Sequence, residues 1–527
     1  LPSSEASPLS DAALILRSYE RWGESCFEHF IGPFALVMWD ERRNELLCVR
    51  DALGDRTLFY ELTEKRLLVA SEPWAVAAAQ ERDPDQDDVG VAHYFALEAP
   101  QDGRTLFKDV RELLPAQVLA VNNSAERRWQ YWRADPSVRV RYASDQEYAE
   151  HFRALLEQSI RCRLRSITPV GVLMSGGLDS TSVACLAARM LAPDSLTTFS
   201  YVFDELSSCD ERQYIDALRA RCGICSVQIP CDDLWTFRKW SDWPRNPNNP
   251  EGNLYRLLKE RTYQRAHAEG FRVLLTGSFG DELYLGSGEW LADLVAEGRM
   301  REAAQDLAFF VRYAGLGWTL RAGYLQRSAR RAFHVVAEGP RSLRRRAIPT
   351  WLTPAAARLL LRSDADGAAP ILSERQAGLV GTSNALNSSR ETFNASRNGI
   401  ELRHPYRDRR LVEFVLAIPA HQLFHRGYYK HILRNAMQGI LPEMIRARPT
   451  GTSFTPLFLR GMEREKAIQQ ACFLDSHAAW REFVDEKWIS SRWNVIPEED
   501  VAERLVPWLC IAYEAWHRHT ITGHNLL

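Results

Sequence analysis

The stretch Pro169-Val-Gly-Val-Leu-Met-Ser-Gly-Gly-Leu-Asp-Ser180 decides the fold. Residues 170–174 form a short apolar run, which is typical of a buried parallel strand. In the Ser-Gly-Gly turn that follows, glycines let the backbone approach a ligand closely. Val183, Leu186 and Met190 then recur at helical spacing. A strand, a turn and a helix N-terminus form an anion site, because free backbone N–H groups and the helix dipole face a phosphate. No Gly-Lys-Ser/Thr follows, so this is not the Walker pattern.

Length and composition limit the possible classes. At 527 residues the chain is too long for one core, which predicts two or three domains. A net charge of −2 gives no reason to expect a nucleic acid or an anionic membrane as partner. No signal peptide and no apolar run of membrane-spanning length is found, so we expect a cytoplasmic protein. The cysteines are too sparse for a disulfide scaffold, and Cys222-Gly-Ile-Cys225 suits packing thiols better than a metal or redox site.

The order of the predicted elements indicates an α/β fold. The first 140 residues are read as strands, of which Phe34–Asp40 and Glu45–Arg50 form a hairpin. Residues 133–141 are the predicted linker, and Ser144-Asp-Gln-Glu147 is a capping box that opens a helix. Strands then alternate with helices, which predicts a doubly wound parallel sheet with its ligand at the carboxyl ends of the strands. From about residue 289 onward the pattern adds a mainly helical region.

Three motifs stand out among the N-terminal strands: Phe34-Ala-Leu-Val-Met-Trp-Asp40, Arg50-Asp-Ala-Leu-Gly54 and Leu68-Val-Ala-Ser-Glu72. Together they resemble the glutamine amidotransferase domain of the asparagine synthetase family. The resemblance predicts an incomplete, β-rich amidotransferase-like domain over residues 1–135, followed by an ATP-dependent ligase domain over residues 144–527. Members that hydrolyse glutamine use a cysteine directly after the initiator methionine. Here the first cysteine is Cys26, on a helix face that suits packing, so we expect a domain without the nucleophile, either as a truncated sequence or as a structural relic.

Two signatures of the same family predict the nucleotide and metal sites. Residues 175–180 resemble the pyrophosphate loop of ATP pyrophosphatases, and Gly277-Ser-Phe-Gly-Asp-Glu282 resembles the second asparagine synthetase signature. The resemblance implies that ATP and pyrophosphate are bound by Ser175, Gly176, Gly177, Leu178, Asp179, Ser180 and Gly277. Asp179 and Asp281 follow two strands that face one crevice, so we expect them to hold Mg²⁺. The alternative for Asp281 is a helix cap. Asp210 and Glu211 either lie near the pyrophosphate or form a cap and a surface charge.

A third signature predicts the catalytic residues. Gly399-Ile-Glu401-Leu-Arg-His-Pro-Tyr-Arg-Asp408 and Lys430-His-Ile-Leu-Arg434 match the family text. The resemblance implies that Glu401 positions or deprotonates the attacking amine and that Lys430 contacts phosphate. Lysine is scarce in this chain, which favours a functional role for Lys430. Thr450 stands where several relatives have a second catalytic lysine, and Ser278 replaces a glutamate or tyrosine. We therefore expect retained ATP activation and an altered acceptor.

Three further stretches bear on the substrate. Pro349–Leu352, Phe454–Gly461 and Trp508–Trp516 resemble lasso peptide cyclases, which join a peptide's N-terminal amine to an Asp or Glu side chain. This resemblance implies closure of a macrolactam through an isopeptide bond, with ATP and Mg²⁺ as cofactors. The expected partners are a precursor peptide and, as a candidate, its leader peptidase. The missing glutaminase cysteine also fits an amine supplied by the substrate itself.

Several alternatives remain open at this point. Asparagine synthesis from free ammonia is the first, and β-lactam-type ring closure is the second. A non-catalytic scaffold is disfavoured by the paired carboxylates, and a tRNA-modifying pyrophosphatase by the near-neutral charge. The arginines between Arg321 and Arg346 could bind a peptide or tRNA, or could form a solvated helix face.

Overall fold

The computed structural model describes most of the chain in ten ranges. They are 10–135, 137–191, 195–285, 298–314, 348–366, 390–419, 422–425, 428–449, 451–492 and 501–523. The arginine-rich segment 321–346 and Thr450 lie outside the described residues. No helix within these ranges is both long enough and apolar enough to cross a membrane.

The N-terminal region is built from antiparallel strands, as predicted. The strands are β1 Ala35–Asp40, β2 Glu45–Arg50, β3 Phe59–Leu62, β4 Leu67–Ala70, β5 Arg111–Glu112, β6 Gln117–Val121 and β7 Glu126–Gln130. They form one sheet of order β1-β2-β6-β7 and a second of order β4-β3-β5. The predicted hairpin is present, with Ala35 opposite Arg50 and Asp40 opposite Glu45. Inward-facing apolar side chains of this region pack into cores of their own.

The helices of this region are short. They are α1 Asp11–Trp22, α2 Pro73–Ala78 and α3 Asp88–Phe95. A 3₁₀ turn over Gly23–His29 holds Cys26, which is fully buried against the apolar side of the first sheet. Burial raises the pKa of the Cys26 thiol to about 12. A buried, protonated thiol suits packing and not nucleophilic attack, because the thiolate is the reactive form.

A parallel sheet organises the second region, which confirms the predicted α/β class. Its strands are β8 Val170–Leu173, β9 Thr197–Val202, β10 Cys225–Pro230, β11 Val273–Leu275 and β12 Glu401–Arg403. Their order is β10-β9-β8-β11-β12, and each neighbouring pair is parallel. The central strand β8 opens the stretch that decides the fold. Helices cover both faces of such a sheet, which is why its strands read as continuous apolar runs.

The helices of the second region lie mostly where the periodicity predicts them. They are α4 Asp145–Arg163, α5 Leu178–Met190, α6 Arg212–Cys222, α7 Arg256–Ala268, α8 Gly280–Leu285, α9 Met300–Ala314, α10 Pro354–Asp366, α11 Arg409–Ala417, α12 His431–Ala436, α13 Glu443–Arg446, α14 Thr455–Arg464, α15 Lys466–Leu474, α16 Glu486–Arg492 and α17 Val501–Trp516. A two-stranded ribbon, β13 Phe424–His425 and β14 Tyr428–Tyr429, precedes α12. The N-cap half of the predicted capping box is present, since the backbone N–H of Glu147 donates to Ser144 Oγ at 3.3 Å. Glu147 Oε1 accepts from the Ser144 hydroxyl at 3.0 Å, whereas a full capping box would have it accept from the Ser144 backbone N–H.

A large aromatic core joins the C-terminal helices to the N-terminal region. It includes Trp351, Phe458 and Trp508 together with Phe95 and Phe107. The three stretches that resemble lasso peptide cyclases all contribute to this one core. The resemblance in these three stretches therefore reflects the packing of the helices. Inferences about the substrate depend on the functional site instead.

Polar contacts also fix the two regions to each other. Arg407, which is buried, pairs with the buried carboxylate of Asp55. Arg56 lies 2.7 Å from Glu401, and Trp132 Nε1 donates to Glu413 Oε1 at 2.7 Å. Because the Arg407–Asp55 pair is desolvated, removing either partner would leave an unpaired buried charge.

Candidate functional site

The turn after β8 forms a phosphate loop, defined here as residues 175–180. Its two serines hold it closed: Ser175 N–H donates to Ser180 Oγ at 3.1 Å, and the two hydroxyl oxygens are 2.9 Å apart. The N–H of Gly177 donates to Ser175 Oγ at 3.1 Å. Gly177 is the N-cap of α5 and has no side chain with which to cap that helix. The uncapped N-terminus of a 13-residue helix is therefore presented at the loop, where it favours an anion.

Three glycines at the loop are required by close approach. A Cβ on Gly176 would lie 2.8 Å from Cβ of Tyr214, and one on Gly277 would lie 2.6 Å from the backbone nitrogen of Ser180. A Cβ on Gly280 would lie 2.4 Å from Cγ of Asp179. These are distances at which any larger residue forces its neighbour to move. The two signatures read from the sequence are therefore packed directly against each other.

The predicted metal carboxylates meet at one lysine. Lys430 Nζ lies 2.5 Å from Asp179 Oδ2 and 2.5 Å from Asp281 Oδ1. Burial raises the pKa of Asp179 to about 6, although Lys430 acts in the opposite direction. Burial also works against the charge of Lys430, but the two carboxylates outweigh it and raise the lysine pKa. The structure thus brings together three residues that were predicted from separate motifs.

The donor set fits Mg²⁺. Asp179 Oδ1 is buried and has no hydrogen-bond partner among the described residues, whereas the Asp281 side chain is 68% exposed. Among the described residues no cluster of three or more His, Cys, Asp and Glu side chains could hold a metal. Two carboxylates alone leave most positions of an octahedral ion to water and substrate phosphates, which is the usual arrangement for Mg²⁺. Asp179 and Asp281 are the residues that would hold the ion.

Backbone strain marks the same place. Lys430, the residue before α12, has φ 61°, and Phe279, the residue before α8, has φ 72°. A side chain in this left-handed region costs about 1–2 kcal/mol. Strained residues concentrate at functional sites because the surrounding structure must hold them there. At Lys430 the strained backbone coincides with an ammonium held between two carboxylates.

An open cavity of about 550 Å³ lies at the carboxyl ends of β8, β9 and β11. Every residue predicted to bind ATP lines it except Gly176, whose N–H donates to Glu211 Oε2 at 2.9 Å. Apolar walls come from Leu173, Phe199 and Tyr201. The charged residues of the lining are Asp179, Asp281, Glu391, Lys259, Lys430, Arg434 and Arg448. Four cations beside an uncapped helix N-terminus suit a polyphosphate.

Glu211 supports the loop from behind. Besides accepting from Gly176, its carboxylate lies 2.8 Å from Arg448 Nη1, and that guanidinium also donates to the carbonyl of Gly176 at 3.0 Å. Both side chains are nearly buried. Of the adjacent residues Asp210 and Glu211, it is Glu211 that contacts the phosphate loop. Asp210 instead accepts from the backbone N–H of Phe203 at 2.9 Å.

Glu401 lies apart from this cavity. It opens β12 opposite Val273, which opens β11, so it sits at the amino ends of the parallel strands. The phosphate loop follows β8 at the carboxyl ends. Glu401 pairs with Arg56 at 2.7 Å and Arg403 at 3.2 Å, in a separate surface recess. The structure does not bring Glu401 together with the phosphate loop.

Sequence reasoning missed an ion pair in the cavity wall. Lys259 Nζ donates to Glu391 Oε1, and Tyr263 Oη donates to the same oxygen at 3.4 Å. Burial raises the pKa of Glu391, but Lys259 and His404 outweigh it and hold that pKa below its usual value. The scarcity of lysine was a signal that could have found Lys259. Glu391 belongs to no recognised motif.

Among the residues that the structure describes, the cysteines belong to no cluster that could hold a metal ion. Cys222 ends α6 and Cys225 opens β10, with Gly223 between them at φ 60°. Cys222 contacts Cys185 on α5.

Two family profiles match the chain. The profile described as Asparagine synthase matches residues 151–518, and the one described as Glutamine amidotransferase domain matches residues 4–132. The first covers more than half of the chain. It includes the phosphate loop, the segment around Asp281 and the lysine at the carboxylates.

Curated relatives agree with these matches. Asparagine synthetase (glutamine-hydrolyzing) 3 of Bacillus subtilis is 26% identical over 482 residues, which cover 86% of this chain and 72% of that protein. Amidase chyE of Penicillium rubens is 26% identical over 309 residues, or 55% of this chain and 44% of that protein. Amidase chry2 of Gibberella zeae is 27% identical over 311 residues, or 55% and 45%. The chain thus spans less than half the length of the two amidases.

Proposed function

The chain belongs to the asparagine synthase family, and on that premise we propose that it is an ATP-dependent ligase that forms a carbon–nitrogen bond through an acyl-adenylate. A substrate carboxylate attacks the α-phosphorus of ATP, pyrophosphate leaves, and an amine then displaces AMP. The observation that carries this proposal is Lys430 held between Asp179 and Asp281 beside the uncapped N-terminus of α5. A cation, two carboxylates and a helix N-terminus therefore meet at the phosphate loop.

The protein's residues act on this reaction mainly through charge. Mg²⁺ held by Asp179 and Asp281 would neutralise phosphate charge when bound. The N–H groups at the start of α5 and the serine hydroxyls of the phosphate loop hold the departing pyrophosphate. Lys430, oriented by two carboxylates and a fixed backbone, stabilises charge that builds on the phosphate oxygens. Arg448, fixed by Glu211, adds positive charge on the far side of the loop.

For the substrate, we propose closure of a peptide macrolactam between an N-terminal amine and an Asp or Glu side chain. An opening that exposes both apolar and charged walls supports a substrate larger than a free amino acid. The serine at position 278, which lines the cavity, leaves room that a larger residue would fill. Asparagine formation from free ammonia is the second candidate. The relative from Bacillus subtilis is named an asparagine synthetase, which favours asparagine as the product, although that name gives glutamine as the nitrogen source.

The experiment offers the protein ATP and Mg²⁺ with two sets of acceptors. One set is synthetic peptides with a free N-terminus and an internal Asp or Glu, and the other is aspartate with ammonium chloride. The proposal predicts AMP formation together with loss of one water from a peptide, observed by mass spectrometry. AMP formed only with aspartate and ammonium would favour asparagine synthesis, and ADP as the product would contradict both candidates. Asp179→Ala should abolish the activity in either case.

A further inference from the structure

Building on the proposed ligase activity, we propose that the N-terminal region takes part in adenylation by fixing the position of Asp281. Two positioning residues carry this effect across the interface, Asp55 in the N-terminal region and Arg407 in the second region. Neither belongs to the residues that the sequence predicted for the site. A chain of contacts leads from Asp55 through Arg407 and Phe279 to the start of α8.

The turn that carries Asp55 is held rigidly within the N-terminal region. This interface turn, defined here as residues 51–56, directly follows β2. The buried side chain of Asp51 accepts from three backbone N–H groups of the turn, at 2.9–3.1 Å. The buried guanidinium of Arg50 donates to two of its carbonyls, at 2.6 and 2.9 Å. Because its backbone is fixed from two sides, the turn can hold a partner in one position.

The partner of the interface turn is Arg407. Asp55 pairs with the Arg407 guanidinium, which also donates to the carbonyl of Leu53. The side chains of Asp55 and Arg407 are only 6% and 4% exposed, so water weakens their attraction little. Leu53 itself packs into the apolar core that contains Phe279. One turn of the N-terminal region therefore supplies a charge, a carbonyl and an apolar side chain to the second region.

Arg407 in turn holds the residue before α8. Its guanidinium lies over the Phe279 ring, 5.0 Å from the ring centre, which is a cation–π contact. Phe279 has φ 72°, a conformation that persists only where the surrounding structure imposes it. Asp281 lies two residues further on, in the first turn of α8, and meets Lys430 there. The hold on Phe279 therefore fixes the place at which α8 begins and the position of Asp281.

A second contact supports the same segment from the second region alone. His404 Nδ1 lies 2.7 Å from Thr276 Oγ1, and that hydroxyl accepts from the backbone N–H of Ser278 at 3.2 Å. Residues 276–281 are thus held at two points. Loss of the Arg407 contact should therefore loosen the segment without unfolding it.

The test removes the ion pair without leaving a buried charge. The double variant Asp55→Leu/Arg407→Met takes away both charges and keeps apolar bulk, and such replacements of buried pairs generally preserve stability. In the ligand-free protein, hydrogen–deuterium exchange of the amides of residues 279–285 should become at least about 10-fold faster. The amides of β8 and α5 should exchange as in the wild type, because a loss of stability throughout the fold is not expected.

Metal binding and adenylation are measured on the same variant. Mn²⁺ is the probe for the predicted metal site, and electron paramagnetic resonance gives its dissociation constant in the presence of α,β-methylene-ATP. That constant should rise by about 10-fold, as for other residues that orient a metal ligand. Pyrophosphate exchange at saturating ATP and Mg²⁺ should fall by about 10–100-fold, since a displacement of about 1 Å at Asp281 costs up to about 100-fold.

Asp11→Leu/Arg165→Met is the matched control. It removes an ion pair of 3.0 Å that also joins the two regions, but whose side chains are 75% and 78% exposed. Exposed pairs contribute little. Amide exchange, Mn²⁺ binding and pyrophosphate exchange should therefore all stay within about 2-fold of the wild type.

Phe279→Leu approaches the same contact from the other side. It leaves the ion pair of Asp55 and Arg407 intact, so it introduces no unpaired buried charge, and it decides the question if the double variant does not fold. It should also accelerate amide exchange of residues 279–285 and weaken Mn²⁺ binding. When the double variant is combined with Asp281→Asn, pyrophosphate exchange should fall no further than in Asp281→Asn alone, because the pair acts through that carboxylate.

Three results would overturn the inference. They are wild-type amide exchange over residues 279–285 in the folded variants, an unchanged Mn²⁺ dissociation constant, or additive losses in the combination with Asp281→Asn. Failure of the proposed function looks different, because the wild type itself would then show no pyrophosphate exchange with any carboxylate. Asp55 and Arg407 would in that case still affect amide exchange and Mn²⁺ binding, but a role in adenylation would fall with its premise.

Discussion

Gly280→Ala is the substitution whose effect follows most directly from the geometry. A Cβ at residue 280 would lie 2.4 Å from Cγ of Asp179 and 2.8 Å from each of its carboxylate oxygens. Ordinary contacts of this kind are 3.4–4 Å. The Asp179 side chain must therefore move by about 1 Å, away from the position in which it meets Lys430. Since the Asp179 side chain is largely buried and paired with Lys430, it has little room to do so without cost.

The expected magnitudes differ for activity and stability. A displacement of about 1 Å in a catalytic constellation costs about 100-fold in rate. Overpacking a buried site lowers the free energy of unfolding by about 1–3 kcal/mol. Gly280→Ala should therefore lose about 100-fold in pyrophosphate exchange into ATP while remaining folded at 25 °C. Urea denaturation measures the change in stability on the same sample.

Gly451→Ala is the matched control for this experiment. Gly451 also lies in the cavity wall, but an added Cβ there meets no heavy atom of the described residues within 4 Å. Its exchange activity should stay within about 3-fold of the wild type, because open space removes the steric cost. Gly280→Ala with wild-type exchange activity would refute the reasoning, since Asp179 would then not need its observed position.

Three further predictions concern the lysine, the loop support and an acid-sensitive cap. Lys430→Met should lower the rate of pyrophosphate exchange by about 10²–10³-fold, as expected for loss of one charged group at the reacting phosphate, and a loss below 10-fold would contradict its role. Glu211→Gln should raise the KM for ATP, and an unchanged KM measured by exchange kinetics would argue against support of the loop. Because the substitution leaves the nearly buried Arg448 without its charged partner, it should also lower the free energy of unfolding by about 3–5 kcal/mol. Asp408 caps α11, and although burial raises its pKa, Arg410 and Arg163 hold that pKa below its usual value. Asp408→Asn should therefore cost about 1.5–3 kcal/mol above about pH 5, and the difference from the wild type should shrink as the pH falls below about 4, which urea denaturation across pH can check.

Much of the fold was predictable because its signals are local. The apolar run before Ser175 and the helical spacing after it correctly predicted β8 and α5. The hairpin of β1 and β2 and the N-cap at Ser144 are also local patterns, and both are confirmed. Asp179 and Asp281 could be placed in one crevice because each follows a strand of a parallel sheet, and such strands end at the same edge.

The remaining parts of the site depend on contacts that are distant in sequence. Lys259 and Glu391 are 132 residues apart, and no periodicity relates them. Glu401 matched a family motif, yet its place at the start of β12 puts it at the edge of the sheet opposite the phosphate loop. The direction of β12 was the physical information that could have shown Glu401 to lie at the opposite edge of the sheet from the phosphate loop. Between the adjacent Asp210 and Glu211, only the rotation at the start of α6 decides which carboxylate reaches Gly176.

The central claim is that a substrate carboxylate attacks the α-phosphorus of ATP. Its most direct test uses an acceptor whose carboxylate carries oxygen-18, with ATP and Mg²⁺, followed by mass spectrometry of the nucleotide product. The acyl-adenylate predicts one labelled oxygen in AMP, because the carboxylate oxygen that attacks phosphorus stays with AMP when the amine displaces it. Label in inorganic phosphate with ADP as the product, or AMP that carries no label, would contradict the account.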